Sequence, residues 1–261
     1  MIVVKFGGHA MKDENGDFAQ AIAAAQQSGV KLVVVHGGGP QIDKALKDAA
    51  IASEFVGGFR VTTPEIFEVV ERVLVNEVVP EVVNSLRSAG VNAVALSGRT
   101  SESLIAEPLR ELVDGSTVDL GLVGVITAVN PQAINSALKG GQVPVISPIA
   151  TDEKFKGGLN VNADLAAAAI AGALDAESLI IMTDVAGIYR SWPDTSSLIS
   201  SISYAELDTL KSTFAEGMAP KVKACLDAID CGASAVRIID GTDPSAFAMA
   251  LGNSGGTLVT K

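Results

Sequence analysis

The chain has 261 residues, of which 48% are hydrophobic and 19% charged, with a formal net charge of -11 at pH 7. That size and hydrophobic share support a large core, as one domain or two joined lobes, and exclude global disorder. The acidic balance argues against nucleic acid or an anionic membrane as main partner, and no apolar run approaches the ~18 residues that span a bilayer.

The chain opens with an apolar strand at 2–6 that carries Lys5 and ends at Gly7-Gly8. Lysine is rarely buried unless an anion meets it, and glycine lets backbone approach a ligand closely. Lys5 therefore reads either as part of a phosphate or carboxylate site or as a surface lysine snorkelling from an edge strand. A helical pattern at 18–27 leads to a second apolar strand at 31–35, followed by His36-Gly37-Gly38-Gly39-Pro40 and a helix at 41–50. Three consecutive glycines exceed what a sharp turn needs. They let several N–H groups face one anion at a helix N-terminus, which Pro40 is suited to open.

Gly57-Gly58 centres a hairpin at 54–62 that carries Arg60, either a bidentate carboxylate clamp or a solvated edge charge. A long helical pattern at 64–88 contains Pro80, which is expected to bend or break it. A strand at 92–96 precedes a region at 103–129 whose Asp-Gly signal suggests further hairpin structure. After a helix at 131–138 and a strand at 143–147, Asn160-Val161-Asn162-Ala163-Asp164 leads into an alanine-rich helix at 163–174. Asn162 as N-cap and Asp164 in the first turn suit a helix start, and that account suffices for both. Asn160 is not explained by it.

The strand at 178–182 ends in Thr183-Asp184-Val185-Ala186-Gly187, which suits either a nucleotide contact or a plain turn. Helices at 204–213 and 221–229 precede a last strand at 235–239. Lys221 opens its helix with the wrong sign for the dipole, which an anion at that place would offset. An exposed lysine bearing a small cost is the competing account.

Apolar strands alternating with amphipathic helices predict an α/β fold, a three-layer αβα sandwich around a mainly parallel sheet. Hairpins decorate the first half only. The expected division is an N-terminal lobe at 1–165 and a C-terminal lobe at 166–261, with the sheet free to run through both. Cys225 and Cys231 have neither metal spacing nor a disulfide framework, so a reduced, cytoplasmic setting is expected. The two histidines, His9 and His36, exclude a histidine-rich zinc site. His36-Gly37-Gly38-Gly39 is also a hydrolase oxyanion signature, but no Gly-x-Ser-x-Gly elbow and no late histidine accompany it. Walker and Gly-x-Gly-x-x-Gly loops are absent as well.

Taken in order, Lys5-Phe6-Gly7-Gly8, His36 to Gly39, Gly58 to Thr62, Asn160 to Asp164, Thr183 to Gly187 and Gly217-Met218-x-Pro220-Lys221 resemble the amino acid kinase family. The likeness runs from Lys5 to Gly255-Gly256-Thr257 and is strongest to the branch that acts on N-acetyl-L-glutamate. It implies transfer of the γ-phosphoryl group of ATP to the acceptor's side-chain carboxylate, in arginine biosynthesis, with Mg2+ carried on the nucleotide phosphates. By this resemblance Lys5 and Lys221 stabilise the migrating phosphoryl group and Asp164 orients both lysines. Gly38, Gly39, Arg60 and Asn160 bind the acceptor. Gly7, Gly8, Asp184, Gly187, Tyr189, Phe214, Gly217 and Met218 serve the nucleotide.

Arginine-inhibited members carry an extra N-terminal helix that links dimers, and here Met1 abuts the first strand. A homodimer insensitive to arginine, binding small molecules but no nucleic acid or membrane, is the expectation. Two other readings stand beside it: a kinase of a related acid such as N-acetyl-2-aminoadipate, aspartate or glutamate, and a non-catalytic sensor of amino acid or nucleotide. The sensor would be expected to lack one of Lys5, Asp164 or Lys221.

Overall fold

The computed structural model describes residues 1–7, 13, 15–112, 116–214 and 218–261, with the backbone alone at 219 and 220. Gly8, His9, the Asp-Gly pair at 114–115 and Gly217 lie outside the described residues.

The first half runs β1 (Ile2–Phe6), α1 (Asp17–Gln27), β2 (Leu32–His36), α2 (Gly39–Asp48), the hairpin β3 (Phe55–Val56) and β4 (Phe59–Arg60), α3 (Pro64–Val73), α4 (Val79–Ser88) and β5 (Ala93–Ser97). It continues with β6 (Leu104–Pro108), β7 (Val123–Val129), α5 (Gln132–Lys139), β8 (Val143–Ser147), β9 (Ile149–Asp152) and β10 (Gly158–Val161). The remainder is α6 (Ala163–Ala173), β11 (Ser178–Thr183), β12 (Ser201–Ser203), α7 (Tyr204–Leu210), α8 (Ala219–Asp230), β13 (Ala235–Asp240), α9 (Ala246–Leu251) and β14 (Thr257–Thr260).

Eight strands form one sheet in the order β12-β14-β13-β11-β1-β2-β8-β5. Its pairs are parallel except β13 with β14. Alternation along each strand sends Val3, Val35, Ile146, Ile181 and Ile238 to one face, against α5, α6 and α8. Val4, Phe6, Val34, Val145 and Ile180 go to the other, against α1 to α4 and α9. Both faces are covered, which is why these strands read as continuous apolar runs. The expected three-layer arrangement is the one observed.

The region at 103–129 differs from a free hairpin. β6 and β7 pair antiparallel, but β9 and β10 join them in a closed four-stranded ring of order β10-β7-β6-β9. The β3–β4 hairpin is as expected: Gly57 and Gly58 both have positive φ, 58° and 84°, as a two-residue turn that follows strand twist requires.

The helix at 64–88 runs on past Pro80 without a break, by way of a π-helical stretch. α3 ends at Val73 and α4 begins at Val79, and Leu74–Val78 between them form a π-turn. Proline cannot donate to the preceding turn, and the wider π-turn absorbs the mismatch. Leu74, the first residue of that stretch, lies close against the glycine loop: a Cβ on Gly38 would lie 2.5 Å from Leu74 Cδ2.

β1 sits where strand order turns, with β2 on one side and β11 on the other. The crevice beyond the carboxyl ends at such a point is where open α/β sheets take ligands.

Candidate active site

Lys5 has the same parity as Val3, so its side chain leaves β1 on the face covered by α6 and α8. There its Nζ meets Asp164 Oδ1 at 3.1 Å, as an ion pair without the angle of a hydrogen bond. The lysine folds back over the strand end, and a Cβ on Gly7 would lie 2.9 Å from Lys5 Cε and 3.0 Å from Nζ. Glycine at position 7 is thus what lets the ammonium lie there.

Asp164 is held at the start of α6 by the cap anticipated from sequence. Asn162 Oδ1 accepts from the backbone N–H of Asp164 at 2.8 Å and of Leu165 at 3.3 Å. Lys221 lies in the first turn of α8, and its Nζ is 3.2 Å from Asp184 Oδ1. The expected arrangement had Asp164 orienting both lysines; in the structure Asp164 meets Lys5, and Asp184 meets Lys221. That carboxylate offsets a cation placed against the helix dipole.

Lys5, Gly7, Asp164, Thr183, Asp184 and Lys221 line one cavity of about 360 Å³. Two ammonium groups 216 positions apart in the chain therefore face a common space, each neutralised by its own carboxylate. Cys225, buried on α8, has its thiol pushed up by burial and stays protonated, which makes it no nucleophile.

A second, smaller cavity of about 170 Å³ lies alongside, and Gly38, Gly39, Arg60 and Asn160 all line it. Two contacts define the boundary between the cavities. A Cβ on Gly7 would come within 3.5 Å of Gly37 N, and Asn162 on the wall of one caps Asp164 on the wall of the other. The N-termini of α2 and α6 both open on the smaller cavity, so two helix dipoles present positive ends there.

Asn160 Nδ2 donates to Thr62 Oγ1 at 3.2 Å, and Thr62 Oγ1 donates to the Arg60 carbonyl at 2.8 Å. Arg60 itself is buried. Its Nη2 is 2.7 Å from Asp43 Oδ1 and its Nη1 donates to Ser53 Oγ at 2.5 Å. Its guanidinium carbon stands 4.5 Å from the Phe55 ring centre. Asp43, Ser53 and Phe55 carried no signal of this in the sequence, because they meet Arg60 only once the hairpin closes and packs on α2.

His36 lies fully buried before the glycine loop, and burial pushes its imidazole down to about 4. Nδ1 is 2.6 Å from the Gly37 carbonyl, which can only accept, so the neutral ring carries its proton on Nδ1.

Of the other described nucleotide candidates, Gly187, Tyr189, Phe214 and Met218 line neither cavity. Tyr189, Phe214 and Met218 are buried in the core beside α8. Gly187 approaches β14 so closely that a Cβ would lie 2.4 Å from Thr257 Oγ1, which accepts from the neighbouring Ile188 N–H at 2.8 Å. Among the described residues, no cluster of three His, Cys, Asp or Glu could hold a metal, and no helix is long and apolar enough to cross a membrane.

A parallel-sheet crevice with paired lysines, glycine-lined strand ends and an adjoining arginine pocket defines a protein that handles phosphorylated ligands. The sequence pattern of the amino acid kinase family matches residues 1–240, and the chain belongs to that family. Its relatives include acetylglutamate kinases from Beutenbergia cavernae, 46% identical over 95% of this chain and 80% of theirs, and from Corynebacterium urealyticum, 44% identical over 98% and 84%. The crystal structure of smu.665 from Streptococcus mutans superposes with a TM-score of 0.81 at 29% identity, covering 99% of this chain and 98% of that one. Giardia carbamate kinase, at 18% identity and a TM-score of 0.72 over 99% and 98%, shares the fold.

Proposed function

We propose that this protein transfers the γ-phosphoryl group of ATP to the side-chain carboxylate of N-acetyl-L-glutamate, giving N-acetyl-L-glutamyl 5-phosphate and ADP, a step of arginine biosynthesis. The observation that carries this reading is the shared boundary of the two cavities, one bearing Lys5 and Lys221 and the other Arg60 and Asn160. The curated relatives at 44–46% identity bear the matching name.

The acceptor carboxylate is ionised at pH 7, so no general base is needed. One of its oxygens attacks the γ-phosphorus as the bond to the bridging oxygen breaks and ADP leaves with that electron pair. Negative charge spreads over the equatorial oxygens, and preorganised cations and N–H groups are what lower such a barrier. Lys5 and Lys221 would meet that charge from the two sides of the cavity. Arg60 would hold the acceptor's α-carboxylate, with Asn160 and the N–H groups of Gly38 and Gly39 as further donors.

The nucleotide phosphates would lie along Gly7 and Lys221, whose missing side chain and ammonium suit an anion. Asp184, Gly187, Tyr189, Phe214 and Met218 would support the nucleotide segment from its loop and the core beneath. Mg2+ would arrive on those phosphates and neutralise part of their charge. The same reading divides the chain into an acceptor-binding lobe at 1–165 and a nucleotide-binding lobe at 166–261, joined through α6, and assembles it as a cytoplasmic homodimer.

An ADP-release assay across N-acetylglutamate, N-acetyl-2-aminoadipate, aspartate and glutamate tests the reaction. N-acetylglutamate should give the highest kcat/KM; a larger value for another acid, or no turnover of any, overturns the reading.

A further inference from the structure

Arg60 is fixed on three sides by α2 and by the stretch that enters β3. Asp43 Oδ1 of α2 forms an ion pair with Nη2 at 2.7 Å, and Ser53 Oγ of the loop before β3 accepts an N–H of Nη1 at 2.5 Å. Phe55, its direct partner across the hairpin, covers one face of the guanidinium plane at 4.5 Å. Partners on two nitrogens and a ring on the face set both the position and the plane. A guanidinium has five N–H donors in a rigid fork, more than the hydrogen bond to Ser53 and the ion pair with Asp43 engage. The arginine side chain is 5% exposed while that of Asp43 is 57% exposed, so the carboxylate holds Arg60 from the outer side.

We propose that Asp43 is a positioning residue for the acceptor. Assisted by Ser53 and Phe55, it presets Arg60 so that the free edge of the fork takes the acceptor's α-carboxylate on arrival. The proposal rests on the acceptor reading above and adds the residues that make it selective. A long flexible arginine ordered only on binding would charge that ordering against affinity, and preorganisation removes the charge. The geometry matters because the pocket is small, about 170 Å³. A guanidinium free to swing would fill it or leave it.

A structural alternative is that the pair only staples the β3–β4 hairpin to α2. The two are separated by an acceptor lacking the α-carboxylate, N-acetylglutamate α-amide, which keeps the reacting side-chain carboxylate. Asp43→Asn should raise KM for N-acetylglutamate about tenfold or more, the scale of a misplaced binding group, with kcat and the KM for ATP within about twofold. The amide's KM should move less than about twofold. Asp43→Glu should recover most of the loss, Ser53→Ala should shift KM the same way by less, and Asp43→Asn should add nothing in an Arg60→Met background.

Equal losses with acid and amide, or a raised KM for ATP, would mean a staple and overturn the proposal. An unchanged KM for N-acetylglutamate in Asp43→Asn, with Arg60→Met impaired, would overturn it while leaving the kinase reading intact. Failure of the wild-type protein to phosphorylate N-acetylglutamate would defeat that reading and the proposal with it.

Discussion

Lys5 stands in a strand whose neighbours Val4 and Phe6 are buried hydrocarbon, and its charge is sustained there by Asp164 at 3.1 Å. Lys221 has the same relation to Asp184 at 3.2 Å. Each ammonium is held by one carboxylate and still faces the cavity, which suits a group that must meet a transient anion. Lys5→Ala and Lys221→Ala should each lower turnover by at least ~100-fold at saturating substrates, the loss expected for one preorganised donor. Turnover close to that of the unaltered protein would remove that lysine from the mechanism. His36 predicts a pH effect on stability instead. Its folded pKa of about 4 lies below the 6.5 of a free imidazole, so between these limits the unfolded chain binds more protons. The native state has its full advantage above about pH 6.5 and loses about 3 kcal/mol from this group as pH falls to 4. Urea midpoints at pH 7 and 4.5 should therefore diverge less in His36→Gln than in the unaltered protein. Equal divergence in both would show that His36 becomes protonated in place without cost.

The glycine loop and the π-helical stretch meet on the wall of the smaller cavity. Leu74–Val78, just before Pro80, depart from regular α-helix, Leu74 lies against the glycine loop, and Gly38 leaves room for it. Gly38→Ala should cost roughly 10–100-fold in kcat/KM for the acceptor, since overpacking of this kind is worth 1–3 kcal/mol. Leu74→Val removes the offending Cδ atoms, and the double variant should regain about tenfold over Gly38→Ala, as measured by the same assay. No recovery would mean that the alanine harms the loop by another route. These relations also mark what could be read from the sequence. Strands buried on both faces announced themselves as apolar runs, and Asn162 announced its helix through cap chemistry. β9, β10, β12, β14 and α9 are three to six residues long, too short for a local period to betray them, and β12 and β14 pair across more than fifty residues of chain. The site divides similarly. Lys5, the glycines and Lys221 broke local rules where they stood, whereas the pairing of Arg60 with Asp43, or of Lys221 with Asp184, exists only after the elements meet.

At the scale of the whole molecule, strand order makes the two halves of the chain interdependent. β1, from the start of the chain, hydrogen-bonds to β2 along one edge and to β11 along the other, so the sheet crosses the proposed lobe boundary without a break. α6, whose first turn carries Asp164, packs on β1, β2, β7, β11 and α8, and thereby ties both halves to the carboxylate that pairs with Lys5. A fragment limited to 166–261 would expose one edge of β11 and strip α6 of its partners on β1, β2 and β7, leaving apolar surface that only the other half covers. The intact chain should accordingly unfold in urea as one transition, with far-UV and near-UV circular dichroism coincident. Fragments 1–165 and 166–261, produced separately, should each lack a cooperative transition. Two resolved transitions in the whole chain, or a cooperative 166–261 fragment, would mean that the lobes are thermodynamically separate. Lys5 and Lys221 would then depend on lobe docking, rather than on a shared sheet, to face the same phosphorus.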